Sequence, residues 1–438
     1  MLKRIAIVAF FTGTGQLFSI FVLKYLSQHS STSQIQAIAE IDSLVLFILN
    51  IIGQGLQYSA MRNIAQSTEW KKEFYDTQSA RFTLSLFLIL AAGFAVINQY
   101  YLVFLISPVL AWSGDYALYG RGYPIQGSII AFIRLMVPYS ALLLSVIYFP
   151  GNGGLAYVIS LLIVYLATNF YISYFLGTDY FYKVSFRKLR LYITSAGLGV
   201  ATIALYFLGL GLVLIAPYLY PPIVVTVAFI GLKFYVIYKG VLRIITQAFL
   251  KEMQSDAVCL KVDQLSIIAG TLMFGSLMIF PDSFINFFFG KNYLPDREFF
   301  MILGVNALIY SVFLSFATTA LFKKADRKFA LITVIAVIAT VISMVLLSYS
   351  TGNATGFGIS LLIGELVYAT GLIILVGTSK TVIERLSFLA IILPPLIIPM
   401  AFRYWLKDDL MTYIISFSLL SLTILIMHYR KFKTLTTS

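Results

Sequence analysis

An all-α polytopic membrane fold, with about fourteen transmembrane helices in two pseudo-symmetric six-helix lobes plus a C-terminal helix pair, is what this sequence predicts. Three observations carry the prediction. The 438 residues are 60% hydrophobic and only 11% charged, with a mean hydropathy of +0.91. A soluble globule stays nearer half apolar and a quarter charged, because polar groups must cover its surface. Lys and Arg fall mostly on one side of the expected spans, and short sequence fragments recur at matching places in the two halves. At about 20 residues per crossing the apolar supply suffices for a dozen or more spans. A soluble enzyme and a single-anchor protein are thereby excluded.

Apolar runs between polar breaks set the spans at 5–26, 35–58, 82–98, 100–118, 126–148, 155–177 and 191–211, then at 223–242, 263–285, 298–320, 329–349, 357–377, 387–403 and 411–429. Barrel strands would instead alternate over about ten residues. The longest polar stretch is 59–81, too short for a soluble domain. Turns such as Pro150-Gly151-Asn152-Gly153-Gly154 and Ser350-Thr351-Gly352-Asn353 join neighbouring spans tightly. Lys3 and Arg4 lead into an apolar run with no small-residue cleavage site, so the first helix is expected to stay on the chain.

The basic residues orient these spans. Of the 31 Lys and Arg, 24 belong to one set of loops, among them Arg62, Lys71, Lys72, Arg81, Arg121, Lys239, Arg243 and Arg385. The opposite set holds Lys291, Arg297, Arg403 and Lys407, with Lys24 at the edge of the first span. The positive-inside rule then places both termini in the cytoplasm. The net charge of +13 is mostly this topology signal, aided by attraction to anionic lipid heads, so a nucleic-acid partner is not expected.

Similar fragments define the halves. Arg62-Asn63-Ile64-Ala65-Gln66 follows the second span and Arg243-Ile244-Ile245-Thr246-Gln247 the eighth. Gly151-Asn152 with Ile159-Ser160-Leu161-Leu162-Ile163 is echoed by Gly352-Asn353 with Ile359-Ser360-Leu361-Leu362-Ile363. Ala117-Leu118-Tyr119 closes the fourth span and Ala320-Leu321-Phe322 the tenth. An even number of helices per unit gives parallel repeats, the arrangement of rocking two-lobe transporters. The expected organisation is an N-lobe at 1–178, a C-lobe at 179–380, and C-terminal helices with a cytoplasmic tail at 381–438.

Residue chemistry narrows the function. The lone Cys259 excludes a disulfide framework, and His29 and His428 stand too far apart to suggest a triad or zinc site, so neither metal nor cofactor is expected. A charge at the bilayer centre costs about 2.5–3.5 kcal/mol on insertion scales, so each needs a reason. Lys233 sits in mid-span within Gly231-Leu232-Lys233-Phe234, Glu365 within Gly364-Glu365-Leu366, and Arg134 about eight residues into the fifth span. Glu40 and Asp42 lie in the outer half of the second span and Lys24 near the outer end of the first. Asp115 and Asp263 read as interfacial caps or inter-helix partners. Lys24 can snorkel or pair with Glu40 or Asp42, and Lys233 can be neutralised by Glu365. Otherwise Lys233, Arg134 and Lys24 are candidate substrate cations, with Glu365, Glu40 and Asp42 as ion-coupling or charge-pair carboxylates. Buried cations among 29 Tyr suit a ligand with an anionic group and a polar body, such as a lipid diphosphate carrying sugars.

From about residue 40 to 375 the chain resembles the Wzx-type polysaccharide flippases of the multidrug/oligosaccharidyl-lipid/polysaccharide (MOP) exporter superfamily. The resemblance rests on the stretches Gly55-Leu56-Gln57-Tyr58-Ser59-Ala60-Met61-Arg62-Asn63-Ile64-Ala65, Gly114-Asp115-Tyr116-Ala117-Leu118-Tyr119-Gly120-Arg121-Gly122, Lys261-Val262-Asp263-Gln264-Leu265-Ser266-Ile267-Ile268-Ala269-Gly270, Phe287-Phe288-Phe289-Gly290-Lys291-Asn292-Tyr293 and Gly358-Ile359-Ser360-Leu361-Leu362-Ile363-Gly364-Glu365. It implies two lobes around a central cavity, alternating access, and movement of a polyprenyl-diphosphate-linked oligosaccharide to the outer leaflet of a bacterial cytoplasmic membrane. It also implies partnership with membrane lipids and with polysaccharide polymerase machinery, and no enzymatic activity. Twelve spans are usual in that family, so the last two helices depart from its pattern, and no motif here aligns with its cavity arginines. A multidrug-type small-molecule exporter of the same superfamily is the first rival. A membrane glycan polymerase is the second, for which the largest outward loop, 286–297, is thin catalytic material.

Overall fold

The computed structural model describes residues 2–149, 151–248, 253, 255–323, 325–405 and 410–436. Every regular element among them is helical. Ten helices are long and apolar enough to cross a membrane, or up to twelve if each of two bent pairs is one span. That tally covers described residues only, and of the expected span 411–429 it records Leu410–Ile424 as a shorter apolar helix. The chain is a multi-pass membrane protein. Its outer shell agrees: Phe181, Ile374 and Trp405 are each at least 80% exposed, an apolar surface that water would not tolerate and acyl chains would.

The chain divides into two compact units, 1–233 and 234–438. In the first, α1 (Leu2–His29), α2 (Thr32–Gly53), α3 (Leu56–Gln66) and α4 (Trp70–Leu88) lead into 3-10 stretches at Ile89–Val96 and Gln99–Ile106. Then come α5 (Ser107–Ala111), α6 (Asp115–Gly120), α7 (Pro124–Tyr148), α8 (Gly153–Leu176), α9 (Arg190–Thr194), α10 (Ala196–Phe207) and the first part of α11 (Pro222–Ala248). The stretch 59–81, expected as a loop, is instead largely helix. Its polar residues mark an amphipathic pair whose apolar side chains pack inward. Ala60, Ile64 and Phe74 join Tyr116, Leu118, Ile130 and Ile172 in one buried cluster.

Two glycines let the turn after α2 close. Gln54 and Gly55 both have positive φ, +30° and +72°. A Cβ on Gly55 would lie 2.8 Å from the Leu198 Cβ and 2.9 Å from the Gly199 nitrogen, while a Cβ on Gly199 would meet the Gln54 carbonyl at 2.6 Å. Backbone approaches backbone here, so no rotamer change can relieve the clash. Gly55→Ala is expected to destabilise the protein by about 1–3 kcal/mol, read as a lowered melting temperature of the purified protein in detergent.

In the second unit α11 continues into α12 (Asp256–Ile279), α13 (Pro281–Phe288), α14 (Arg297–Val312) and α15 (Leu314–Phe322). The remainder is α16 (Asp326–Ser350), α17 (Ala354–Val376), α18 (Ser379–Ile392), α19 (Ile397–Trp405) and α20 (Leu410–Thr436). The C-terminal helices pack on α12 through Ile267, Phe280, Phe388, Ile392 and Leu420. Gly151 and Gly352, paired in the repeat, both take positive φ at a helix start, and Asn353 accepts a hydrogen bond from the Gly356 amide.

Each unit contains an interrupted helix. In the first, α5 stops at Ala111 and α6 begins at Asp115. In the second, α14 and α15 meet at Phe313 with a bend of 47°. Unwound backbone at membrane depth survives only where protein or trapped water satisfies it. The side chains that do so are described next.

Candidate functional site: four buried charge clusters

Asp42 and Lys233 meet in the middle of the first unit. Asp42 lies ten residues into α2 and Lys233 eleven into α11, each about 15 Å along its helix at 1.5 Å per residue and so at mid-bilayer depth. The Lys233 Nζ donates to Asp42 Oδ2 at 2.6 Å. The other carboxylate oxygen accepts from Tyr157 at 2.6 Å and Tyr139 at 3.4 Å, and the ammonium lies 5.4 Å from the Tyr139 ring. Both side chains are buried, so Lys233 does not face acyl chains. Its partner is Asp42, not the Glu365 that the sequence offered as a neutralising partner. Glu40, two residues before Asp42, is held differently: the Gln36 and Asn98 side-chain amides donate to its two oxygens, each at 2.9 Å. Lys24 is half-buried on α1, where its carbonyl accepts from Ser27.

Arg134 and Arg81 converge on the break in the same unit. Arg134 donates from Nε to Thr168 Oγ1 at 2.9 Å, from Nη2 to Asn169 Oδ1 at 2.8 Å, and from Nη1 to Ser113 Oγ at 2.7 Å. Its guanidinium stacks 4.3 Å from the Tyr165 ring centre. Asp115 is a looser partner, 3.7 Å away and occupied by a 2.6 Å hydrogen bond from Ser113. Arg81 donates to the Ser113 carbonyl and to Gln78 Oε1, and lies over the Tyr116 ring. Gln78 in turn donates to the Trp112 carbonyl and Asn169 to the Val109 carbonyl, so the unwound segment is fastened from α4, α7 and α8. Pro138 in α7 has no N–H to offer the Arg134 carbonyl four residues back, which loosens the helix beside the arginine.

The second unit has its own two pairs. Glu365, 1% exposed, accepts on Oε1 from Tyr235 at 2.9 Å and from the Lys239 ammonium. That ammonium also lies 4.3 Å and 4.7 Å from the Tyr235 and Tyr310 ring centres. Glu365 lines a small cleft with Tyr310, Phe313 and Tyr368, with room for about one water. Asp263 holds the second break: it accepts from the Ser315 amide at 2.7 Å, from the Ser315 hydroxyl at 2.6 Å, and from Arg385 Nε. Arg385 also donates to the Thr381 carbonyl and covers the Phe316 ring.

Asp115 and Asp263 are thus inter-helix partners, one of the two roles the sequence suggested. The sequence assigns Arg81, Lys239 and Arg385 to loops as topology signal, and in the structure they are buried or half-buried partners inside helices. Lys239 was legible, since it falls inside the expected 223–242 span. Arg81 and Arg385 stand one and two residues outside their expected spans and carried no such signal.

The fold is a multi-pass bundle of membrane-length helices, and solved structures share it. No protein-family model matches the sequence, and no curated protein matches it. Among solved structures, the chain is similar to the lipid II flippase MurJ in an inward closed conformation, with a TM-score of 0.74 at 14% identity, covering 98% of this chain and 99% of that one. It is also similar to the eukaryotic MATE transporter AtDTX14, with a TM-score of 0.57 at 13% identity over 89% and 98% of the two chains. An outward-facing multidrug resistance MATE family transporter of the MOP superfamily gives 0.55 at 13% identity over 88% and 96%. The chain has the fold shared by these proteins.

Proposed function

We propose that this protein is a flippase that moves a lipid-linked, polyprenyl-diphosphate oligosaccharide from the cytoplasmic to the outer leaflet of the bacterial cytoplasmic membrane, by alternating access of two lobes. The observation that carries the reading is the likeness to a lipid II flippase along 98% of the chain, where the MATE transporters cover 88–89%. The lobes are the repeat units 1–178 and 179–380, with 381–438 appended and both termini cytoplasmic. Arg134 and Lys233 are the cations that meet the diphosphate in turn, and Lys24 stands further along the path. Each of the first two rests on a carboxylate that an incoming anion displaces. Asp42 and Glu365, with Glu40, are the carboxylates at which a proton or sodium ion couples the rocking motion. The polyprenyl tail stays in the bilayer, and glycan polymerase machinery takes the product.

Proteoliposomes carrying a fluorescent polyprenyl-diphosphate sugar, read with a membrane-impermeant quencher, test this. Wild type is expected to move the probe to the quenched leaflet, and Arg134→Gln to slow it about tenfold or more, the worth of one charge-assisted contact. Unchanged transport in the variant removes Arg134 from the path.

A second reading, a small-molecule exporter of the multidrug type, is supported by the likeness to two MATE transporters. Export of a cationic dye by the same vesicles, with no movement of the lipid probe, would replace the first reading by this one.

A further inference from the structure

The two breaks are fastened with different charge balance. At the second, Asp263 and Arg385 are one anion and one cation, and Ser315 and the Thr381 carbonyl take up the remaining bonds. At the first, two guanidiniums share one carboxylate. Asp115 is 3.7 Å from Arg134, and among the described residues Arg81 has no carboxylate partner. Arg81 is only 2% exposed, yet its Nε has no hydrogen-bond partner. A buried charge left uncompensated and a buried donor left without an acceptor both work against the fold. Such a surplus is tolerable where an anion visits. The route in is through Asp115, whose side chain is 40% exposed while that of Arg134 is 8%.

We propose that Arg81 and Arg134 form a two-guanidinium site at the break Trp112–Gly114 that takes a phosphate or diphosphate group, with Asp115 as its built-in placeholder. Resting on the flippase reading for Arg134, this adds Arg81 as a second cation and gives Asp115 a role. The Lys233–Asp42 pair is balanced one to one and directly hydrogen-bonded, so an anion reaching Lys233 must first displace Asp42. At the first break the surplus is one positive charge, and the existing counter-ion is beyond hydrogen-bond distance. Planar guanidiniums, each stacked on a tyrosine ring, present N–H groups in the geometry that phosphate oxygens accept. An arriving phosphate would take over the donors that now point at Asp115 and Ser113, and would supply an acceptor for the Arg81 Nε.

The test is calorimetric titration of the full chain in detergent with two probes, inorganic pyrophosphate and farnesyl diphosphate. Wild type is expected to bind both. Tighter binding of farnesyl diphosphate assigns the site to a lipid head, and equal binding assigns it to a free phosphate compound. Arg81→Gln is expected to weaken both probes about tenfold. Because that variant removes a buried anchor, Asp115→Asn is the decisive one. Without the placeholder the anion no longer competes for Arg134, so binding of both probes is expected to tighten at least about threefold. A purely structural Asp115 predicts the opposite sign. Absence of binding to wild type, or unchanged or weaker binding in Asp115→Asn, overturns the site. Since binding is read without transport, that outcome leaves the vesicle test of flipping standing on its own.

Discussion

Lys233→Met alone is expected to destabilise the protein by about 3–5 kcal/mol, because Asp42 would remain a buried carboxylate with only phenols beside it. Asp42→Asn should cost a similar amount for the mirror reason. The double variant Asp42→Asn/Lys233→Met is expected to recover most of that loss, since exchanging a whole buried pair for neutral groups is often close to neutral. Thermal melting of the three purified variants measures this coupling, and additive losses would show that the pair does not act as a unit. Transport by the reconstituted double variant carries the functional weight. It should be at least about tenfold slower than wild type, because both the cation and its release are gone. A stable double variant with normal transport would reduce Lys233 and Asp42 to scaffold.

The same cycle at Asp263 and Arg385 is expected to end differently. Arg385→Leu alone should cost about 3–5 kcal/mol, since Asp263 is fully buried and its remaining donors both come from Ser315. Asp263→Asn/Arg385→Leu is expected to regain stability in part, as the introduced amide would keep an acceptor for Ser315 but lose the anchor to α18. Here transport should track stability and nothing more. The pair's bonds all run to protein groups that fasten the bend at Phe313 and the docking of α18. A transport loss beyond the stability loss would give the second break a part in the motion.

Particular residues show how much was legible beforehand. Mid-span charges stand out because a polar group in hydrocarbon is expensive, and so Lys233, Arg134, Glu365, Glu40 and Asp42 are all singled out by sequence. Their pairings are not legible. The sequence leaves Lys233 with Glu365 as an option, yet the two lie on helices that put them with Asp42 and with Lys239. Arg81 and Arg385 read as loop charges because hydropathy windows blur at their edges, and a window cannot tell an interfacial arginine from one folded back under a helix end. The stretch 59–81 reads as a loop for a related reason: an amphipathic helix lacks the apolar run that marks a span.

Sequence by itself determined that the chain lives in a membrane as many helices, and which few charges had to be explained there. Both follow from transfer free energy, which adds residue by residue and needs no partner to be known. Tertiary structure alone decided that Arg81 shares a break with Arg134, that Asp42 owns Lys233, and that one break is balanced while the other is not. Those facts depend on which helices touch, and contact between residues far apart in the chain leaves no mark on local hydropathy.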